Sequence, residues 1–233
     1  VTNTNRQVQI GRKALQMPGD ARQDWWIIQE IATRIGLDWT YTHPSDVFAE
    51  MSEIMLSFNN ITWDRLSRES AVTYPCDAPD EPGNEIVFAE HFPTPSGRGK
   101  LVGAEVIPPD EMPDDEYPMI LTTGRQLEHW HTGALTRRAS VLDALEPEAV
   151  AQLNYRDLKR LGVEPGDMVR VATRRGIIEL KARVDRAVPE GVLFVPFCYA
   201  EAPANFLTNP QLDPYGKIPE FKFCAARVER AAA

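Results

Sequence analysis

The amino-acid sequence predicts an α+β protein, helical in its first part and a small closed β-barrel in its second. Three observations carry this. Apolar residues recur at helical spacing in two stretches before residue 60. The segment 107–118 holds four prolines and five acids, which denies it both a helix interior and a central strand. Beyond it, some six short strands with one or two small helices fit into roughly 115 residues, the pattern of a small barrel.

In chain order, "PGDARQDWWIIQEIATRIGLD" sets Trp25, Ile28, Ile31, Ala32 and Ile35 on one helical stripe, with Asp20 as expected cap and Gly36 as expected stop. "HPSDVFAEMSEIMLSF" repeats the pattern through Val47, Met51, Ile54, Met55 and Phe58, with Ser45 as expected cap. Both stripes read as core. A short third helix begins at Thr62, "YPCDAPDEPGNE" is loop, and "EIVFAEHFPTPSGRGKLVGAEV" reads as two strands joined by a glycine-rich turn. After 107–118, read as a linker crossing the surface, "MILTT" is the first barrel strand. "AVAQLN" is the next, followed by a helix "YRDLKRLGV" that Asn154 can cap. "EPGD" suits a type II turn, and "MVRVAT" and "GIIELKARV" alternate about "RRG" as a hairpin. "GVLFVPFCY" is a nearly continuous apolar strand, and "KFCAARVER" closes the barrel.

Charge is uneven along the chain. The net value is −9, which argues against nucleic-acid binding, yet residues 1–116 carry 9 Lys/Arg against 20 Asp/Glu and the remainder 16 against 14. An anion site is therefore expected in the second half. Three cysteines without a CxxC pair speak against a disulfide framework or a cysteine-built metal site. With no leader and no apolar run of the ~18–20 residues that span a bilayer, a cytoplasmic protein without membrane association is expected.

"LTTGRQLEHWHTG" is the stretch richest in chemistry. Thr122 and Thr123, the glycine Gly124 that admits close backbone approach, and the Arg125 fork can cradle a phosphate or diphosphate at a strand end. His129, Trp130 and His131 add a flat ring and two donors suited to a heterocycle. The same residues also read as a strand-end loop with a packed tryptophan and two surface imidazoles. "FCYAEAPANFLTN" is a second polar loop with Asn205 and Thr208, and "DPYGKIPEFKFC" sets Lys222 near aromatic neighbours. No nucleophile elbow, P-loop or dinucleotide fingerprint occurs, so no catalytic set and no metal-ligand set is assigned.

Taken in order, "TNTNRQVQ", "DWWIIQEIATRIG", "FPTPSGRGKL", "DEYPMILTTGRQLEHWHTG", "LGVEPGDMVRVATRRG" and "NPQLDPYGKIPEFKFCAARVE" resemble the C-terminal part of the molybdenum/tungsten oxidoreductases that carry bis-molybdopterin guanine dinucleotide. The similarity is to the alpha subunit of formate dehydrogenase, of the soluble NAD-linked type. The resemblance implies a double-psi barrel over 119–233, a linker at 107–118, and the tail of an α/β domain over 1–106. It implies that Arg125 and Gln126 meet the cofactor's polar groups and that His129 and His131 lie along one pterin arm. Phe197 and Asn205 would line a second contact loop, and Phe221 with Lys222 a third. Relatives carry Glu at Gln126 and Tyr at Trp130, Phe197 and Phe221, so ring packing rather than phenol hydrogen bonds is expected here. The family's metal ligand and iron–sulfur cysteines lie upstream of this stretch. The chain is thus expected to be inert alone and to work with the rest of the alpha subunit and with iron–sulfur and flavin subunits that reduce NAD. Rival expectations are the same barrel in a nitrate reductase-like enzyme, or a non-catalytic barrel that binds proteins.

Overall fold

A computed structural model describes residues 1–231; the last two residues of the expected barrel span lie outside the described residues. The chain divides into two compact units, one spanning Val1–Gly103 and one beginning at Ala104.

In the first unit, β1 (Gln7–Gln9) pairs antiparallel with β2 (Ala71–Thr73), setting buried Val8 opposite buried Val72. Helices α1 (Asp24–Arg34), α2 (Pro44–Ile54) and α3 (Trp63–Glu69) fill the intervening chain. The core is small: Val8, Phe58, Ile61, Leu66, Val72 and Cys76. Arg65 is buried against it and is fully engaged, donating to the Glu81 carbonyl at 2.6 Å, Glu69 Oε1 at 2.9 Å and Cys76 Sγ at 3.1 Å.

Several expectations for this unit are corrected. The stripe of α1 is not core: only Ala32 is buried, while Ile28, Ile31 and Ile35 are more than half exposed because no element of the unit packs on them. Of the α2 stripe and its continuation, Phe58 is buried and Ile54 is exposed. Asp20 does not cap α1, whose N-cap is Gln23 with no side-chain bond. Nor does Ser45 cap α2. Pro44 takes the first helical position, so the cap falls on His43, whose Nδ1 accepts from the Ser45 amide at 3.1 Å while Asp46 accepts from the His43 amide at 3.0 Å. The third helix begins where expected, with Thr62 as its cap. The two strands expected within 85–106 are absent. A tight turn persists there, with the Phe92 amide donating to the Gly97 carbonyl at 3.0 Å, but its flanks have no partner strand, and Leu101 and Val102 stand exposed.

The second unit is a closed six-stranded barrel of mixed direction. Its strands are β3 (Met119–Gly124), β4 (Val150–Leu153), β5 (Met168–Ala172), β6 (Ile177–Val184), β7 (Val192–Pro196) and β8 (Cys224–Arg230), in the order β3-β7-β4-β6-β5-β8. The pairs β3/β7 and β4/β6 are parallel and the other pairings antiparallel. Closure leaves no edge strand. Alternation follows the pleat: Ile178, Leu180 and Ala182 of β6 face inward with Val169 and Val171 of β5, Leu193 and Val195 of β7 and Val228 of β8. The turn Glu164–Asp167 has Gly166 at φ +96° and its closing bond at 3.0 Å, as a type II turn requires. Asn154 caps α5 (Tyr155–Leu161). One further helix, α4 (Ser140–Leu145), was not signalled by the sequence.

The proline- and acid-rich stretch is strapped to the barrel. The Glu111 carboxylate accepts from Arg174 and Arg175 and from the Ala225 amide, and the Asp110 amide donates to Glu220. Among the described residues no helix is long and apolar enough to cross a membrane. All three cysteines are buried free thiols.

Candidate functional site

Barrel topology brings three distant loops together. Because β3 and β7 are parallel, with Gly124 opposite Pro196, the residues that follow both strands emerge at the same end. Because β8 runs antiparallel to β3, with Cys224 opposite Leu121, the residues preceding β8 arrive at that end too. The result is a cavity of about 350 Å³ lined by Thr123, Arg125, His131, Phe197, Asn205, Phe221 and Lys222. The first three belong to the loop after β3 or its edge, the next two to the loop after β7, and the last two to the approach to β8.

Each wall is fixed by local chemistry. Thr123 is buried; its hydroxyl donates to the Phe221 carbonyl at 2.6 Å and its own carbonyl accepts from Lys222 Nζ at 2.6 Å. The Lys222 ammonium stands 5.4 Å from the centre of the Phe221 ring and 5.9 Å from that of Phe197. With one of three N–H bonds committed to Thr123, two remain for a ligand. On the opposite side Arg125 Nη2 lies 3.5 Å from His131 Nε2, and the His131 ring is tilted 36° to Phe197 at 6.4 Å. His131 holds a left-handed backbone, φ +48°, a cost that a non-glycine residue accepts where the surrounding loop fixes it.

The other expected residues are placed differently. Gln126 lies on a neighbouring cavity of about 370 Å³ that shares Arg125 and also includes Gln152 and Phe194. Its amide donates to Glu128 at 2.9 Å, which holds that carboxyl below the usual carboxylate range. Gly124 lines neither cavity, but a Cβ there would lie 2.4 Å from the Phe194 ring, so only glycine lets strand and ring approach this closely. Trp130 is largely exposed at the rim, edge-on to His131 at 4.6 Å.

His129 faces the interior. Its Nε2 lies 2.7 Å from the Glu146 carbonyl and must donate there, leaving Nδ1 to accept from Thr136 Oγ1 at 3.3 Å. The same carbonyl accepts from Tyr199 Oη at 3.1 Å, and burial pushes that phenol well above its ordinary value. Tyr199, Arg137 and Glu146 were not singled out by sequence reasoning; each acts through partners at least six residues away, which no local motif reports.

The donor set is specific about charge. Two cations, an imidazole and an amide line the cavity with two phenyl rings and no carboxylate, which suits an anion joined to a flat ring system. A dinucleotide-bearing pterin has both parts, so the residues fit the group the resemblance implies. Among the described residues no cluster of three or more His, Cys, Asp or Glu side chains could hold a metal ion.

Comparison with known proteins supports a class first. Residues 119–225 match the family described as Molydopterin dinucleotide binding domain, and this part of the chain is such a domain. Over 98% of its length the chain is 41% identical to the F420-dependent formate dehydrogenase subunit alpha of Methanocaldococcus jannaschii, covering 34% of that protein. It is 32% identical, again over 98% of its length, to the assimilatory nitrate reductase catalytic subunit of Bacillus subtilis, covering 33% of it. The chain is thus similar to subunits of both a formate dehydrogenase and a nitrate reductase. The chain spans about a third of the length of these curated relatives. Acetylene hydratase from Pelobacter acetylenicus shares the fold, with a TM-score of 0.70 at 20% identity over 97% of this chain and 35% of that one. The NAD-linked detail of the resemblance gains no support, since the formate dehydrogenase cited is F420-dependent by name.

Proposed function

We propose that this chain is the C-terminal cofactor-holding portion of a formate dehydrogenase alpha subunit. It clamps bis-molybdopterin guanine dinucleotide, bearing molybdenum or tungsten, for the two-electron oxidation of formate to carbon dioxide. The observation that carries the reading is the convergence of Arg125, Asn205 and Lys222 from three loops on one acid-free cavity. Higher identity to a formate dehydrogenase than to a nitrate reductase supports formate as substrate.

In this reading Arg125 and Lys222 donate charge-assisted bonds to the cofactor's anionic groups, each of order 1.5–3 kcal/mol before discounting for exposure. Asn205 supplies a neutral amide, and His131, Phe197 and Phe221 pack flat surface against its rings. Arg125 and Gln126 reach its polar edge. His129 holds the loop from within, and Trp130 covers the rim. The bound group supplies the redox chemistry; this chain's residues bind it, orient it and exclude water. Residues 1–106 are the tail of an α/β domain completed by the rest of the alpha subunit, a role that the exposed apolar face of α1 supports. The chain alone is then inert. Iron–sulfur clusters upstream pass electrons to cytoplasmic iron–sulfur and flavin partner subunits that reduce NAD or, as the name of the Methanocaldococcus relative suggests, F420.

The full-length parent tests this. It should release oxidised pterin and GMP on denaturation and reduce a dye with formate but not oxidise that dye with nitrate. Nitrate-dependent turnover without formate oxidation favours the nitrate reductase-like alternative, and absence of pterin favours a protein-binding barrel.

A further inference from the structure

The cavity walls come from loops that share no backbone hydrogen bonds along most of their length, so something must fix their separation. One side chain behind the cavity spans the gap. Arg137, in the turn Thr136–Arg138, has a half-buried guanidinium whose Nη1 donates to both carboxylate oxygens of Glu201 at 2.7 and 2.6 Å. Its Nε donates to Asp143 in α4 at 3.1 Å, and its Nη2 to the Pro147 carbonyl at 3.2 Å. Its Cζ lies 4.9 Å from the centre of the buried Tyr199 ring. Where Gly133 meets the second loop, a Cβ would stand 2.6 Å from the Cys198 carbonyl and 2.8 Å from Arg137 Cγ, so the loops touch with no room to spare. Glu201 sits between Phe197 and Asn205 in sequence, and Arg137 follows His131 in the same loop.

We infer that Arg137 is a positioning residue. Paired with Glu201, it ties the Arg125–His131 loop to the Phe197–Asn205 loop and so sets the width of the cofactor cavity. The inference rests on the functional reading above and deepens it. Neither residue lines the cavity, and position 137 needs a planar five-donor fork, since lysine could replace the charge but not the simultaneous contacts with Glu201, Asp143 and Pro147.

The test uses the full-length parent loaded with cofactor. Arg137→Ala, Glu201→Ala, the double variant and the milder Glu201→Gln are compared for release of pterin and GMP on dilution and for thermal midpoint. Each single alanine variant should lose cofactor about fivefold faster or more, the double variant no faster than the worse single, because the pair acts as one unit. The midpoint should fall by only about 4 °C or less, since half-exposed ion pairs contribute little to global stability. Additive effects in the double variant, or release unchanged in all four, overturn the inference while leaving the cofactor reading standing. If Arg137→Ala fails to fold, Glu201→Gln decides by the same release measurement: faster release supports the tie and wild-type release overturns it. A wild-type parent without pterin removes the reading itself, and the inference with it.

Discussion

At the residue scale the site is built from chemistry that the sequence displays and partnerships that it hides. Arg125, Asn205 and Lys222 were visible as polar side chains in loops that follow or precede apolar strands, and all three line one cavity. The fate of His129 was not legible. A histidine two residues from another reads as its companion, yet the turn Gln126–His129 points the imidazole inward, where the Glu146 carbonyl and Thr136 hydroxyl take both ring nitrogens. Gly124 shows the reverse case. Its expected role was close approach to a ligand; the structure gives it close approach to Phe194. Gly124→Ala should therefore cost about 1–3 kcal/mol of stability through overpacking, read as a lowered urea midpoint at unchanged slope. A wild-type midpoint would mean that the ring swings aside freely.

Elements were legible where periodicity and turn chemistry agreed. The six barrel strands, the Asn154 cap and the type II turn at Pro165–Gly166 all had local signals strong enough to stand without tertiary help. Failures came where local signals compete. Pro44 after His43 outweighs Ser45 as a helix start, and apolar alternation in 85–106 cannot form strands without neighbours. The strap at 107–118 is an intermediate case: prolines excluded regular structure, but only the fold shows that Glu111 pins it. Burial pushes the Glu111 carboxyl up, yet the bond and charge of Arg175, with the Ala225 amide and Arg174, bring it net below its usual range. The folded strap thus binds a proton less readily than the unfolded chain. Its stabilisation is complete above the ordinary carboxylate range and is lost as pH falls through the lowered folded value. Thermal midpoints followed from neutrality down to about pH 3 should fall less steeply for Glu111→Gln than for wild type; parallel curves would show that the strap does not contribute.

For the whole molecule, the order of six motifs carried the reading, because no single one is distinctive and only a shared ancestor keeps them in sequence across both units. Periodicity marks the apolar face of α1 but not its burial, and Ile28, Ile31 and Ile35 stand exposed. Under the proposed function, the contribution made by this chain is one of holding and orienting. That contribution is tested most directly by counting molybdenum or tungsten, pterin and GMP per chain in the purified parent, in wild type, in Arg125→Ala/Lys222→Ala and in the surface control Arg156→Ala. Loss of two charge-assisted contacts should reduce cofactor content to about a tenth or less, with the control at wild-type occupancy. A double variant that keeps a full complement of metal and GMP would contradict the account.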